Sequence, residues 1–212
     1  MTEPIDIADL QPWIGRTEAC TETVTSASIQ EYLALLDRDA GEPQVGQAAP
    51  PGAHWLYAFL PAVRQSELGA DGHPHRGGFL PPVSLPRRMW AGSALVFGRT
   101  PLRVGDCARR ESTIVSIRAK SGRSGPLVFV EVRHGWYVGD DRALEEVQSI
   151  VYRGGEAGAD PRPRSAHEAG AIAAFSRRLV PDSRLLFRYS ALTHNAHRIH
   201  YDHDYVRNVE GY

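Results

Sequence analysis

The sequence predicts an α+β protein built on an antiparallel sheet, and three observations predict it. Between residues 93 and 153, segments rich in β-branched and aromatic residues follow one another at short intervals. Gly- and Asp-rich turns separate them, at Val104-Gly-Asp106, Ser121-Gly-Arg-Ser-Gly125 and Gly139-Asp-Asp141. Ahead of them, Ile29, Tyr32, Leu33, Leu35 and Leu36 give a helix one apolar face for a sheet to cover.

Taken in order, Thr25-Ser26 supplies a helix cap, and the apolar face runs on to about residue 38. Residues 40–52 are Gly- and Pro-rich and break the helix. His54 to Val63 is apolar, but Pro61 argues against a long regular element. The stretch Gly69 to Gly92 holds too many Gly and Pro for a helix or a central strand. Its Phe79, Leu80, Val83, Leu85, Met89 and Trp90 nevertheless favour an ordered, functional loop. Strands are expected at Ala94–Phe97, Arg110–Ile117, Leu127–His134 and Gln148–Tyr152. The alternation in Ser112-Thr-Ile-Val-Ser-Ile-Arg118 marks one buried and one wet face. Residues 154–167 read as a linker, Ala169 to Leu179 as a short helix, and Leu185-Leu186-Phe187 as a short strand.

Composition narrows the function. In 212 residues, 42% are hydrophobic and 23% charged, ordinary for a soluble domain. A net charge of −1 gives no electrostatic reason to expect nucleic acid or an anionic membrane as partner. No apolar run is long enough to span a bilayer, and Met1-Thr-Glu-Pro4 lacks the layout of a signal peptide. Cys20 and Cys107 have no metal-type spacing and read as reduced thiols of a cytoplasmic protein.

Chemistry concentrates between Arg184 and Asp202. Tyr189, Ser190, Thr193, Asn195, His197, His200 and Asp202 crowd together, and His194, His197, His200 and His203 fall at three-residue steps. Imidazoles titrate near neutrality and both take and give protons at working pH. His197, His200 and Asp202 are also metal-ligand types. Their setting reads as a loop leading into a turn rather than one helix face, so no metal is expected.

Three blocks carry a resemblance: Arg76-Gly-Gly-Phe-Leu-Pro-Pro-Val-Ser-Leu-Pro-Arg-Arg-Met-Trp-Ala-Gly92, Lys120 to Val130, and Tyr189 to Asp202. The chain resembles the MaoC-like, hotdog-fold acyl-thioester dehydratases and hydratases. Within them it is similar to the double-hotdog type-2 hydroxyacyl-thioester dehydratases and mesaconyl-CoA hydratases. The related R-specific enoyl hydratases carry Asp-x-Asn-x-x-His-x-Asp, and this sequence reads Asn195-Ala-His197-Arg-Ile-His200-Tyr-Asp202 in the same frame. His200 and Asp202 match; Asn195 stands in place of Asp, as in the type-2 and mesaconyl branch.

The resemblance implies a double hotdog, each sheet wrapped around a central helix. Residues 9–153 would form a non-catalytic N-terminal hotdog, and 168–212 would begin a catalytic one that stops short at Tyr212. It implies a hydro-lyase acting on an α,β-unsaturated acyl-CoA or acyl-carrier thioester. In that reading His200 is the general base of hydration and the acid of the reverse step. Asn195 orients water, Asp202 fixes an imidazole or caps the next turn, and His197 does either job. Tyr189, Arg87 and Arg88 would bind substrate, the arginines meeting coenzyme A phosphates. No cofactor is expected beyond the coenzyme A of the substrate itself. The expected partners are an acyl-CoA thioester and either a second copy of the chain or a protein completing the second hotdog. The other reading is an inactive remnant that binds thioesters or packs on a partner, with an exposed apolar face at Leu185, Leu186, Phe187 and Ile199.

Overall fold

A computed structural model describes residues 5–39, 41–57, 63–122, 125–154 and 175–211. Strand β1 (Thr17–Thr23) leads into helix α1 (Ser26–Leu35), and the long loop follows. Strands β2 (Arg87–Phe97), β3 (Cys107–Gly122), β4 (Gly125–Val138) and β5 (Asp141–Arg153) then complete one antiparallel sheet in the order β1-β3-β4-β5-β2. The four strands are longer than their apolar stretches suggest, because ladder pairing continues through polar ends such as Arg87–Arg153 and Arg109–Tyr137.

β1 was not expected. Its sequence, Thr-Glu-Ala-Cys-Thr-Glu-Thr, has no apolar alternation, and as an edge strand it half-buries only Glu18, Cys20 and Glu22. Pairing with β3 holds it, and both cysteines are free.

The expected helix is present. The Thr25 hydroxyl accepts the Ser28 N–H at 3.1 Å, satisfying a donor that the first turn leaves orphaned. Ile29, Tyr32 and Leu33 pack with Leu102, Ala108, Trp136 and Leu144 in a core at one end of the sheet. At the other end Val83, Leu85, Ile114, Val128, Val130, Val132 and Tyr152 form a second core, closed by Phe79 and Leu80 of the long loop. That loop is therefore ordered by its own apolar residues. Arg76 ties it down by donating to the carbonyls of Val83, Leu85 and Pro86.

A row of polar groups separates the two cores. His134 on β4 lies 2.9 Å from the Ser112 hydroxyl and 3.3 Å from Gln148 Oε1. Glu146 accepts the Trp55 indole N–H at 3.2 Å and the Ser93 hydroxyl, with buried His54 beside it. His134, Trp55 and Ser93 offset part of their desolvation cost through these partners, whereas the buried Nε2 of His54 has no hydrogen bond among the described residues.

One expected element is corrected. Leu185-Leu186-Phe187 is not a strand but the first half of helix α2 (Ser183–Leu192). A three-residue apolar run does not distinguish the two states. The decision comes from Asp182, whose carboxylate accepts the Leu185 N–H at 2.9 Å as an N-cap, and from Tyr189 and Leu192, which continue the helical face onto the α1 core. The expected linker at 154–167 lies outside the described residues except for Gly154. So does most of the expected helix Ala169–Leu179, and its described part, 175–179, is not helical.

Candidate active site

Beyond α2 the chain turns sharply at His194, with a φ of 53°, and drops into the stretch the sequence singles out. The Asn195 N–H donates to the Ser190 carbonyl at 2.8 Å, and the Asn195 side-chain oxygen accepts the His197 N–H at 3.1 Å. Asn195 is therefore used in shaping its own loop. A short turn at Arg198–His200 follows. Asp202 then caps the turn His203–Tyr205 by accepting the Tyr205 N–H at 2.9 Å, and binds the Arg198 guanidinium at 2.8 Å. Of the two jobs expected of Asp202, capping is the one its contacts show.

The element facing this motif comes from the other half of the chain. Gly69 to His73 forms a tight loop in which the Gly69 N–H donates to the His73 carbonyl at 2.7 Å. It is stapled to the motif by the Arg198 N–H, which donates to the Asp71 carbonyl at 2.9 Å, and by the Arg198 guanidinium on the Ala70 carbonyl at 3.2 Å. Asp71 holds His73 at two points, the backbone N–H and ring Nδ1, each at 3.0 Å. The His73 ring stacks on His197 with centroids 3.8 Å apart, and His197 meets His200 edge-on at 5.4 Å.

Electrostatics follow from this crowding. Burial pushes the His197 imidazole down to about 3, helped by His73, His200 and Arg88 nearby. Burial also lowers His73, against the pull of Asp71. The Asp71 carboxyl is partly desolvated, yet the hydrogen bonds from His73 and the Arg88 charge keep it well below the usual carboxylate range. His200 is exposed on one face, while partial burial of its ring lowers it below an ordinary imidazole. At neutral pH the site therefore holds three neutral imidazoles beside one ionised carboxylate.

A cleft of about 500 Å³ opens beside the loop, lined by Asp71, His73, Arg76, Arg88 and Tyr205 among others. Asp71, His73 and His197 also present ligand-type atoms within 4.8 Å of one another. His73 Nδ1 is already committed to Asp71, and the Arg88 cation beside all three opposes a second one. The group is better suited to moving protons than to holding a metal.

The residues expected to bind substrate part company. Arg88 lines the cleft. Arg87 instead pairs with Glu210 at 3.5 Å and donates to the Val209 carbonyl at 3.2 Å, so it anchors the last turn. Tyr189 packs into the α1 core, where burial and Tyr32 raise its hydroxyl to about 12. His194 and His203 are exposed and away from the cluster. Sequence reasoning missed Asp71 and His73. The signal was present as Asp-x-His between glycines, inside the loop already marked as functional.

Comparison with known proteins gives the family. The family model for hydroxyacyl-thioester dehydratase type 2 matches residues 52–212. The mesaconyl-C(4)-CoA hydratase of Chloroflexus aurantiacus is 49% identical over 206 residues, covering 97% of this chain and 72% of that protein. A MaoC-like dehydratase of Phytophthora capsici superposes with a TM-score of 0.58 at 15% identity, over 98% of this chain and 70% of that one. HtdX of Mycobacterium tuberculosis gives 0.52 at 18% identity, and the chain spans 64% of its length. The five-stranded antiparallel sheet of the described residues is consistent with the hotdog architecture of the MaoC-like proteins it superposes on, and the chain belongs to the type-2 hydroxyacyl-thioester dehydratase family.

Proposed function

We propose that the protein is a hydro-lyase that adds or removes water across the double bond of an α,β-unsaturated acyl-CoA thioester, with a mesaconyl-type acyl group as its substrate. The observation that carries this reading is the stacking of the motif's His197 on His73, which lines the open cleft at Arg88. Its 49% identity to a mesaconyl-C(4)-CoA hydratase supports the acyl class. Water addition needs a base for the water, a proton for the α-carbon and stabilisation of the enolate between them. His200, the exposed imidazole next to His197, is the motif's acid–base group, and such a group contributes roughly 10²–10⁴ in rate. Asn195 and Asp202 hold the motif's shape, His197 is the wall between the imidazoles, and Arg88 meets an anionic part of the substrate. Coenzyme A enters only as part of that substrate.

Residues 9–153 then act as the first hotdog of a double hotdog, with the segment from 168 opening the second. The working assembly is a homo-oligomer. β2 is an edge strand that leaves Trp90, Val96 and Phe97 exposed, a surface that a second copy would cover.

The test is hydration of mesaconyl-CoA and crotonyl-CoA side by side, followed by loss of the conjugated thioester absorbance. Turnover with preference for mesaconyl-CoA supports the reading. No turnover of any enoyl thioester overturns it. Light scattering on the same sample should give a mass above that of one chain.

A further inference from the structure

We propose that His73, oriented by Asp71, is a second catalytic acid–base residue, so that the two proton transfers of hydration are divided between the two halves of the chain. This inference rests on the hydro-lyase reading and deepens it.

The motif alone is short of proton-transfer groups. Asn195 has no titratable proton, and its oxygen is occupied by the His197 N–H at 3.1 Å. Asp202 is occupied by Arg198 and by the Tyr205 N–H. His197 is buried behind the stacked His73 ring. His200 is left as the free imidazole of the motif, and water addition needs both a base and an acid.

His73 has the features of the missing partner. It lines the cleft, with its Nδ1 3.0 Å from an Asp71 oxygen. An ionised carboxylate there accepts the Nδ1 proton, which leaves the Nε2 lone pair free to act as a base, the same logic by which a carboxylate fixes a histidine in acyl-transfer enzymes. The carboxylate also stabilises the imidazolium once a proton arrives. The surroundings favour the neutral form at rest: burial lowers His73, and Arg88 and His200 face it from β2 and from the motif. The loop is positioned rather than loose, being joined to the motif through Asp71 and Ala70 carbonyls.

The step balances as follows. The water oxygen bonds to the β-carbon while its proton passes to His73 Nε2. The π pair moves onto the α-carbon and thioester carbonyl as an enolate. His200, neutral in the resting site and protonated from solvent ahead of the step, gives that proton to the α-carbon, and the carbonyl re-forms. His73 then loses its proton to solvent and His200 regains one. Dehydration runs the same path backwards.

Three variants of the full chain test this, assayed by enoyl-thioester hydration across pH. His73→Phe keeps a ring against His197 but has no transferable proton. It should lower kcat by about 10²–10⁴ with KM little changed. Asp71→Asn should lower kcat about 10-fold, and should move the acid limb of kcat/KM to lower pH, because the carboxylate that raises His73 is gone. Asp71→Glu should restore part of the loss. Imidazole ¹⁵N spectra of the wild type should show His73 as the neutral, Nδ1-protonated form at pH 7. Wild-type turnover with His73→Phe within threefold of it would overturn this proposal and leave the hydro-lyase reading standing. A wild type that hydrates no enoyl thioester overturns both.

Discussion

At Gly72 the φ of +86° would strain any other residue, and a Cβ placed there would lie 1.8 Å from the Ala196 carbonyl oxygen. The glycine is what allows the loop at Asp71 to lie directly on the motif at His197. Gly72→Ala must therefore push the two apart. Left-handed strain alone costs about 1–2 kcal/mol, and the steric overlap adds to it. Thermal denaturation should show a lowered Tm, and hydration assays a kcat loss, with added substrate restoring little of it. The opposite case is His203, three-quarters exposed and 3.7 Å from the carboxylate of its neighbour Asp204. His203→Ala should leave kcat and Tm unchanged, whereas His200→Ala should lower kcat by about 10²–10⁴. Equal losses in the two variants would show that the three-residue histidine spacing carries no functional meaning.

Among the elements, α1 and α2 show how a cap decides what an apolar run becomes. Thr25 at the start of α1 satisfies the Ser28 N–H, and its hydroxyl also meets that of Ser28 at 2.7 Å. Thr25→Ala should destabilise the protein by about 1 kcal/mol, read as a shift in the urea midpoint with an unchanged slope. α2 turns Tyr189 and Leu192 towards the α1 core and leaves Leu186 and Phe187 41% and 61% exposed. Part of the expected apolar face is thus present, although on a helix rather than on a strand. In the sheet, β1 is held by its ladder to β3 and by the Glu18–Arg110 pair at 3.3 Å rather than by apolar burial. A strand of that kind leaves no periodic signal in its sequence.

For the molecule as a whole, buried histidines set the response to acid. Burial pushes His54 and His134 down to about 4 and His197 to about 3, from an ordinary value of 6.5. Between those values and 6.5 the unfolded chain binds protons that the folded one refuses. Stability therefore rises with pH through that window and is lost as pH falls below about 6.5. Each such histidine contributes a slope of at most about 1.4 kcal/mol per pH unit. Urea unfolding between pH 4.5 and 7.5 should show this slope, and His134→Gln, which can keep a bond to Ser112 or Gln148, should flatten it. A stability independent of pH across the range would contradict the burial of these rings in the folded protein.

The sequence by itself determined what is written in local periodicity and local chemistry. The α1 face, the capped start at Thr25, the alternating strands of the central sheet and the concentration of imidazoles at His194–His203 were all legible, because each depends on residues a few positions apart. So was the order of the Gly69–Gly92 loop, since Phe79, Leu80, Val83 and Leu85 needed a core to enter. Tertiary structure alone decided the rest. It made β1 a strand by pairing it with β3, far along the chain, from Thr17–Thr113 to Thr23–Cys107. It turned Arg87 from a candidate phosphate ligand into an anchor for Glu210, and put Tyr189 into the core. Above all it brought Asp71 and His73 against His197, from more than 120 positions away. Hydrogen bonds and ring stacking act over a few ångströms of space, and separation along the chain does not reveal which residues the fold will bring that close.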